Sequence, residues 1–570
     1  MKHAWKVGAA ISILALLCFV GEWTNAVDLR GTYQKAKDTA TSVKDKAVSA
    51  ATTVKDKVTG TVSGVVSSGI QYFTGEPTAI RNNPYKDTVA TVRVGNELNS
   101  GERAYLAKRQ PKVKKAFEKM LGRSLDGKYV PTMAIVGSGG GYRAMLGCLG
   151  AFSGAEKLGI MDATTYVTAL SGATWAVGAW MSTGLSISDL KTYIQKAVEK
   201  NIHVSSIGEA KNIIDMLAVK LTFDQPITIV DVYGGLLGNR LLYKYGSDCQ
   251  RVYLSAQAQT DHIKNGDVPY PIYTAIDARE AVAREPHWFE YTPHEIGTPY
   301  FGVYVPSWAY GRQFNNGQSV DFAPEQSLGD LMGTWGSAFG VHFGRAWDEV
   351  TSNVPSVIIK PLIEKRLVDP LTGKRVDATW AEVFNFMYGM QAQELTARKT
   401  IKFVDAGIDF NLPYPPVSGE RPERKADIMF FLDFSGGSLL YSLKKTEEYA
   451  RRKGLKFPKI DYTNIETKAM SIFRDPSDPS VPVVIYLPRV SEAGLWQKHK
   501  SNSAFSSYSS LDGFDFTKCT NDFNGVCGTP KFQYSAKNSQ KLIDQMEFNM
   551  MVHKNEIMEA INWVIDQKSR

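Results

Sequence analysis

The sequence predicts an α/β fold, and two junctions between a strand and a helix carry that prediction. At the first, the apolar run "MAIVG" (133–137) enters the loop "SGGG" and then a helical pattern from about Tyr142. At the second, the β-branched run "TTYVTAL" turns at Ser171 into "SGATWAVGAW", which has the pattern of a helix from about Gly172. Strands that lead directly into helices are typical of α/β proteins.

Composition and charge narrow the class of protein further. The chain has 570 residues, of which 43% are hydrophobic and 22% charged, as in a globular protein. Its net charge of +8 is modest and comes with no clustered basic stripe, which argues against a nucleic-acid partner and fits an anionic membrane surface. Five cysteines are too few for a disulfide scaffold. Cys519 and Cys527 flank a short loop, and they either form a disulfide or remain free thiols.

Residues 1–26 have the layout of a secretory signal. The basic start "MKHAWK" is followed by the apolar "VGAAISILALLCFV" and by small residues that end at Ala26. The apolar run is shorter than the roughly 20 residues that a membrane-spanning helix needs. We therefore predict a signal peptide cut after Ala26, with an uncleaved N-terminal anchor as the alternative, and a secreted or membrane-associated protein in either case.

The segment 27–75 contains an eleven-residue repeat. "TSVKDKAVSAA" is followed directly by "TTVKDKVTGTV". An eleven-residue period keeps one helix face in line, and a weakly apolar face edged by lysine suits a lipid surface. Because valine, threonine and glycine are poor helix formers, a solvated linker is the alternative. From residue 76 to 570 the composition is that of an ordinary folded domain.

The glycine loop before Tyr142 is the first candidate for chemistry. Unobstructed N–H groups at Gly139, Gly140 and Gly141, together with the positive end of the following helix, suit either a bound phosphate or an oxyanion. The loop lacks the spacing of a dinucleotide-binding site and the Lys-Ser/Thr of a nucleotide P-loop. On its own it leaves both readings open.

Ser171 is the candidate nucleophile. Small residues at Ala169, Gly172 and Ala173 make the turn a variant of the nucleophile elbow, although a serine that only caps a helix is the structural alternative. The serine needs a base, and no histidine stands in a recognisable base motif. Asp405 ends the apolar run "IKFVD" and is followed by small residues. A serine–aspartate dyad would require a partly desolvated carboxylate with raised basicity.

Several blocks give the chain a resemblance to a known family. "GSGGGYRAML", "LSGATW", "FEYTPHEIGTPYFGVYVP", "LMGTWGSAFG" and "FVDAGIDFNLPYPP" occur in this order. From about residue 76 to its end, the chain resembles the catalytic domain of the cytosolic (group IV) phospholipases A2, a domain that fungal lysophospholipases share. The resemblance implies a three-layer, patatin-like architecture with a central mixed sheet, a nucleophile elbow and an inserted cap at about 184–330.

The resemblance also assigns roles to the dyad and the glycine loop. It makes Ser171 the nucleophile and Asp405 the general base, with Gly139 and Gly140 as the oxyanion hole. The implied reaction is hydrolysis of the sn-2 ester of glycerophospholipids at a membrane surface through an acyl-enzyme, with lysophospholipase activity and without a metal or cofactor. The family has glycine where this chain has Ala169. Alanine is small enough to fit the turn, so we expect the turn to tolerate fewer changes but activity to be kept.

Two arginines take substrate roles in the same resemblance. Arg143 matches an arginine that helps to hold the substrate phosphate and supports the active-site loop. Arg424, in "RPERKAD", matches a second arginine placed toward the head group.

The resemblance leaves two alternative functions open. One is a lysophospholipase or broader patatin-like acyl hydrolase, and the other is a catalytically silent lipid-binding protein. The residues ahead of the domain are too few for the calcium-dependent lipid-binding module of many family members, so we expect no calcium-triggered recruitment.

Overall fold

The computed structural model describes residues 77–278, 286–338, 380–390, 394–436, 439–516, 525–529 and 531–570. The predicted signal or anchor (1–26) and the repeat segment (27–75) lie outside these residues.

A mixed sheet of twelve strands forms the centre of the described fold. Its strands, with the separate hairpin β8–β9, are β1 (Arg93–Val94), β2 (Met133–Gly137), β3 (Tyr166–Ala169), β4 (Tyr270–Asp277), β5 (Trp288–Tyr291), β6 (Glu295–Thr298), β7 (Val303–Pro306), β8 (Phe314–Asn315), β9 (Gln318–Ser319), β10 (Ala381–Phe384), β11 (Thr400–Asp405), β12 (Ile428–Asp433), β13 (Ser471–Phe473) and β14 (Val483–Pro488). The order is β1-β7-β6-β5-β4-β3-β2-β12-β14-β13, and β11 joins β10 to β4.

The middle of the sheet is parallel and buried on both faces. Strands β4, β3, β2, β12 and β14 run in the same direction. Every residue of β2 and of β12 is buried, which explains their continuous apolar runs "MAIVG" and "IMFFLD". The carboxyl ends of these strands therefore meet at one edge, where the predicted glycine loop and the elbow both begin.

Helices cover both faces of this sheet. Those with eight or more residues in the described parts of the chain are α1 (Ser100–Leu121), α2 (Gly141–Lys157), α3 (Gly172–Thr183), α4 (Ile187–Val198), α5 (Ile207–Thr222), α6 (Ile229–Leu241), α7 (Leu328–Trp335), α8 (Leu439–Arg452), α9 (Ala536–Val552) and α10 (Lys554–Lys568). Helix α2 packs against α9, and α6 packs against α7. No described helix is both long enough and apolar enough to cross a bilayer.

The predicted cap at about 184–330 needs correction. This interval supplies β4 to β7, four strands of the central sheet, so it does not form one inserted unit. The aromatic run "WFEY" is strand β5 and is buried at every residue. Because the side chains of this strand are buried, its aromatic rings are part of the protein core.

Candidate active site

The turn between β3 and α3 is a strained elbow at Ser171. Its backbone has φ 48° and ψ −128°. The other non-glycine residues with positive φ in the described ranges are aspartate or asparagine, which tolerate this region better. A serine held here costs on the order of 1–3 kcal/mol. The predicted junction is confirmed, because β3 ends at Ala169 and α3 begins at Gly172.

The elbow lies directly against the glycine loop. A Cβ atom on Gly172 would lie 2.0 Å from the carbonyl oxygen of Gly141, and one on Gly139 would lie 2.6 Å from the Cβ of Ser171. Only glycine allows such approaches. The two predicted junctions therefore form a single site.

Strand register brings Asp405 to the same place. Strand β3 pairs with the first half of β4, with Ala169 opposite Tyr273. Strand β11 pairs with the second half, with Asp405 opposite Ala275, while β5 occupies the other side of β4. Strand β11 therefore pairs with the part of β4 that extends beyond the end of β3, on the same side of β4. Ser171, two residues past Ala169, comes level with Asp405.

The carboxylate of Asp405 is buried, and its Oδ1 accepts from the Gly407 N–H at 2.8 Å. Burial raises the pKa of Asp405 to about 6, although the Gly407 N–H, the Ser171 side chain and the Ala338 backbone are close enough to act in the opposite direction. The group is therefore ionised at neutral pH and more basic than an ordinary aspartate.

The glycine loop is fixed by a residue that the sequence analysis did not single out. Asn411 Oδ1 accepts from the Gly139 N–H at 2.9 Å, and its Nδ2 donates to the Gly139 oxygen at 3.1 Å and to Ser435 Oγ at 2.9 Å. The sequence feature that could have identified Asn411 is its polar amide between two apolar residues, Phe410 and Leu412, in the block that follows Asp405. Both neighbours are buried in the structure.

The hydrogen bonds between Asn411 and Gly139, called the loop clamp below, change the predicted oxyanion hole. The N–H of Gly139 is already engaged by Asn411, so the expectation that it donates to an oxyanion does not fit this arrangement. None of the hydrogen bonds of the described residues uses the N–H of Gly140, whose φ is 140°. Gly140 stays the candidate donor.

Arg143 supports the loop from inside the protein. Its side chain is fully buried, with Nε and Nη2 donating to the Phe434 oxygen at 3.0 and 2.8 Å and Nη1 donating to Thr529 Oγ1 at 2.7 Å. Nη1 also donates to the Cys527 oxygen. A Cβ on Gly140 would lie 2.6 Å from Nη2, so the guanidinium lies against the loop. This position agrees with the expectation that Arg143 supports the loop. It does not agree with the expected contact to the substrate phosphate, because the guanidinium is buried and bonded to protein groups.

The side chain of Arg424 is also bonded to other protein groups. It lies near the amino-terminal end of β3, away from Ser171 at the carboxyl end. Its Nε and Nη2 donate to Glu102 at 2.7 and 2.6 Å, and Nη1 donates to Glu290 at 2.5 Å, with all three side chains buried. Glu102 also accepts from the hydroxyl of Tyr166, the first residue of β3, whereas Ser171 follows its last residue. The predicted head-group contact is wrong, because this arginine belongs to a buried ion network.

The structure shows the state of three of the cysteines. Cys527 is disulfide-bonded, while Cys148 and Cys249 are buried free thiols. The partner of Cys527 lies outside the described residues. Those residues also contain no group of three His, Cys, Asp or Glu side chains suited to a metal ion.

Fold and site together define an α/β protein of the patatin-like class, with a nucleophile elbow beside a glycine loop. Residues 133–462, more than half of the chain, match the family model of the lysophospholipase catalytic domain. The chain belongs to this family, which includes the group IV phospholipases A2.

Individual relatives agree with that assignment. The chain is 26% identical to human cytosolic phospholipase A2 zeta over 84% of its own length, and 25% identical to human cytosolic phospholipase A2 epsilon over 86%. It spans 62% of each of these longer proteins. A solved structure of human GIVD cytosolic phospholipase A2 has the same fold, with a TM-score of 0.69 and 22% identity over 84% of this chain and 68% of that one.

Proposed function

We propose that this protein hydrolyses the acyl esters of glycerophospholipids through Ser171 and Asp405. It releases the sn-2 chain first and then acts on the lysophospholipid. The observation that carries the proposal is a strained serine that lies against a glycine loop and level with a buried carboxylate. The relatives named as phospholipases A2 support the substrate class.

In the first half of the reaction, Asp405 takes the hydroxyl proton as Ser171 Oγ attacks the ester carbonyl carbon. The carbonyl oxygen becomes an oxyanion that accepts from the Gly140 N–H, near the positive end of α2. Asp405 then returns the proton to the departing glycerol oxygen, and the lysophospholipid leaves an acyl-enzyme on Ser171.

In the second half, Asp405 takes a proton from a water molecule that attacks the acyl-enzyme. The tetrahedral intermediate collapses, the proton passes to Ser171 Oγ, and the fatty acid is released. Because burial keeps Asp405 more basic than a solvated aspartate, one carboxylate serves as base and acid in both halves.

Exposed apolar side chains near the dyad support action at a membrane surface. Ile408, three residues after Asp405, is 48% exposed, and Tyr441, in the first turn of α8, is 54% exposed. Ser442, the residue after Tyr441, accepts from the backbone N–H of Asn411, which places the start of α8 next to Asn411. Lys445 adds a cation over the Tyr441 ring. We propose the repeat segment 27–75 as a further lipid contact.

The second candidate is a lysophospholipase that does not accept two-chain lipids. The matched family description favours it. Initial rates on phosphatidylcholine and on lysophosphatidylcholine separate the two, since only the leading proposal predicts turnover of both.

The dyad itself is tested by labelling with a fluorophosphonate probe. We expect the wild type to be labelled at Ser171, and Asp405→Asn to be labelled at least a hundredfold more slowly, since the base is lost. Ser153→Ala, at another buried serine, is the matched control and should keep labelling. Labelling at a serine other than Ser171 would refute the proposal.

A further inference from the structure

A buried aspartate that the proposed reaction does not use stands at the carboxyl end of β12. Asp433 is the last residue of this strand and is fully buried. Its Oδ1 accepts from the N–H of Ser435 at 2.9 Å and also from the Ser435 hydroxyl, and its Oδ2 accepts from the Tyr486 hydroxyl at 2.9 Å. Three donors on two oxygens suit an ionised carboxylate, which can only accept. Burying such a charge is costly unless it is hydrogen-bonded, so these contacts hold Ser435 firmly.

The Ser435 side chain links this carboxylate to the loop clamp. A serine hydroxyl has a single hydrogen, and here it is donated to Asp433. The Ser435 oxygen is left to accept, and it accepts from Asn411 Nδ2 at 2.9 Å. The same amide accepts through its Oδ1 from the Gly139 N–H at 2.9 Å. A continuous chain of hydrogen bonds thus runs from Asp433 to the glycine loop.

The turn after β12 also contacts the loop directly. The Phe434 N–H donates to Ser138 Oγ at 2.6 Å, and the Phe434 oxygen accepts from Arg143 Nη2 at 2.8 Å. A Cβ atom on Gly140 would lie 2.8 Å from that oxygen. Because the Asp433 carboxylate accepts from the N–H two residues further on, it fixes the shape of this turn and so the position of these contacts.

We propose that Asp433 is a positioning residue that fixes the glycine loop for catalysis at Ser171. This assignment rests on the proposed function. Asp433 acts through Ser435 and Asn411, not on the substrate, and keeps the Gly140 N–H at the place where it meets the oxyanion. Misplacing a catalytic group by about 1 Å costs on the order of a hundredfold in rate, so the loss should fall on kcat.

Asp427 is the matched control on the same strand. It directly precedes β12, is also buried, and accepts from the Tyr129 hydroxyl at 2.9 Å, from the Thr132 N–H at 2.8 Å and from Lys568. Its hydrogen bonds resemble those of Asp433, but it lies at the amino end of the strand, whereas the glycine loop lies at the carboxyl end. Removing either carboxylate should lower the melting temperature, and only the loss of Asp433 should disturb the loop.

The first test is steady-state kinetics on lysophosphatidylcholine, run below the melting temperature of every variant. We expect Asp433→Ala to lower kcat by roughly tenfold or more while KM changes by less than about twofold, and Asp427→Ala to keep the wild-type kcat. Asp433→Asn keeps an acceptor for Ser435 and should recover kcat to within about threefold of the wild type. Equal kcat in Asp433→Ala and Asp427→Ala, or Asp433→Asn as slow as Asp433→Ala, would overturn the proposal.

Ser435→Ala tests the same link even if Asp433→Ala does not fold. It removes the hydroxyl that joins Asp433 to Asn411 and keeps the backbone N–H from which the carboxylate accepts. We expect kcat to fall again by roughly tenfold. A wild-type kcat in Ser435→Ala would overturn the positioning role of Asp433.

Hydrogen exchange of the Gly139 amide separates this proposal from the proposed function, because it needs no substrate. The Gly139 N–H is bonded to Asn411, and a loosened loop breaks that bond more often. We expect exchange to be faster by roughly tenfold in Asp433→Ala and Ser435→Ala and unchanged in Asp427→Ala. Wild-type exchange in both of the first two variants would overturn the positioning role. If the wild type hydrolyses no ester, the proposed function fails, and these exchange rates still decide whether Asp433 holds the loop.

Discussion

At the scale of single residues, the proposed general base Asp405 is a buried carboxylate. Burial raises its pKa to about 6, although nearby donors, the Gly407 N–H among them, favour its charged form. The raised pKa means that the folded protein holds this proton more tightly than the unfolded chain between about pH 4 and 6. Above that range the carboxylate is ionised and competent as a base.

The pKa of Asp405 predicts an acid limb in activity. We expect kcat/KM to fall about tenfold for each pH unit below about 6, since protonated Asp405 cannot accept the serine proton. The measurement is a pH profile on a neutral, monomeric ester. Glu325→Gln is the control, because burial raises the pKa of Glu325 to about 7 and the residue is not part of the dyad. Full activity maintained at pH 4.5 would contradict the dyad.

Asn411 is predicted to set the geometry of the glycine loop. Asn411→Asp keeps an acceptor for the Gly139 N–H but loses the donors to the Gly139 oxygen and Ser435, so we expect kcat to fall at least tenfold. Asn562→Asp is the control, since that amide donates to the Met558 oxygen within α10. Steady-state kinetics on lysophosphatidylcholine make the comparison. Unchanged kcat in Asn411→Asp would show that the clamp is dispensable.

At the scale of elements, α7 connects a buried ion cluster to Asp405, the proposed general base. Near its start, Asp330 lies 2.7 Å from Lys220 Nζ of α5, which also pairs with Asp231 of α6. Just past its end, the Ser337 hydroxyl oxygen accepts from the Asp405 N–H at 3.1 Å. The short helix α7 thus links two other helices, α5 and α6, to the strand end that carries Asp405.

Removing the cation of this cluster should destabilise the fold. Lys220→Met leaves Asp231 and Asp330 buried without a counter-charge, and we expect a loss of about 3–5 kcal/mol in the free energy of unfolding. Burial raises the pKa of Asp330 to about 7, so the loss should be larger at pH 8 than at pH 5, where that carboxyl is protonated. Urea unfolding at both pH values measures it. An additional Asp330→Asn change should recover part of the loss, and a pH-independent loss without recovery would contradict this account.

Elements also show where sequence reasoning succeeds and fails. Both strand-to-helix junctions were predictable, because apolar runs, glycines and small residues specify them locally. The strand ending at Asp405 was predictable for the same reason. Its placement beyond the end of β3 was not, since it depends on pairing with β4, more than 120 residues away. The predicted phosphate and head-group contacts of Arg143 and Arg424 do not agree with the structure. A sequence shows the charges of these arginines but not the buried groups to which they are hydrogen-bonded.

At the scale of the whole molecule, the active-site edge of the sheet also carries the exposed side chains Ile408 and Tyr441. We expect Ile408→Ser and Tyr441→Ser to lower activity on phospholipid vesicles several-fold while sparing that on a monomeric dispersed ester. The physical reason is the loss of apolar surface that inserts among lipid chains. Val320→Ser, at a valine that is 60% exposed beside the β8–β9 hairpin, is the matched control. Equal vesicle activity in all three variants would place the membrane contact elsewhere.

The most direct test of the central claim uses phosphatidylcholine with distinct labels on its sn-1 and sn-2 chains. Wild type and Ser171→Ala are compared on the same vesicles, after circular dichroism has shown that both are folded. We expect the wild type to release the sn-2 label first and the sn-1 label later, and Ser171→Ala to release neither. Equal release by Ser171→Ala, or no release of either label by the wild type, would contradict it.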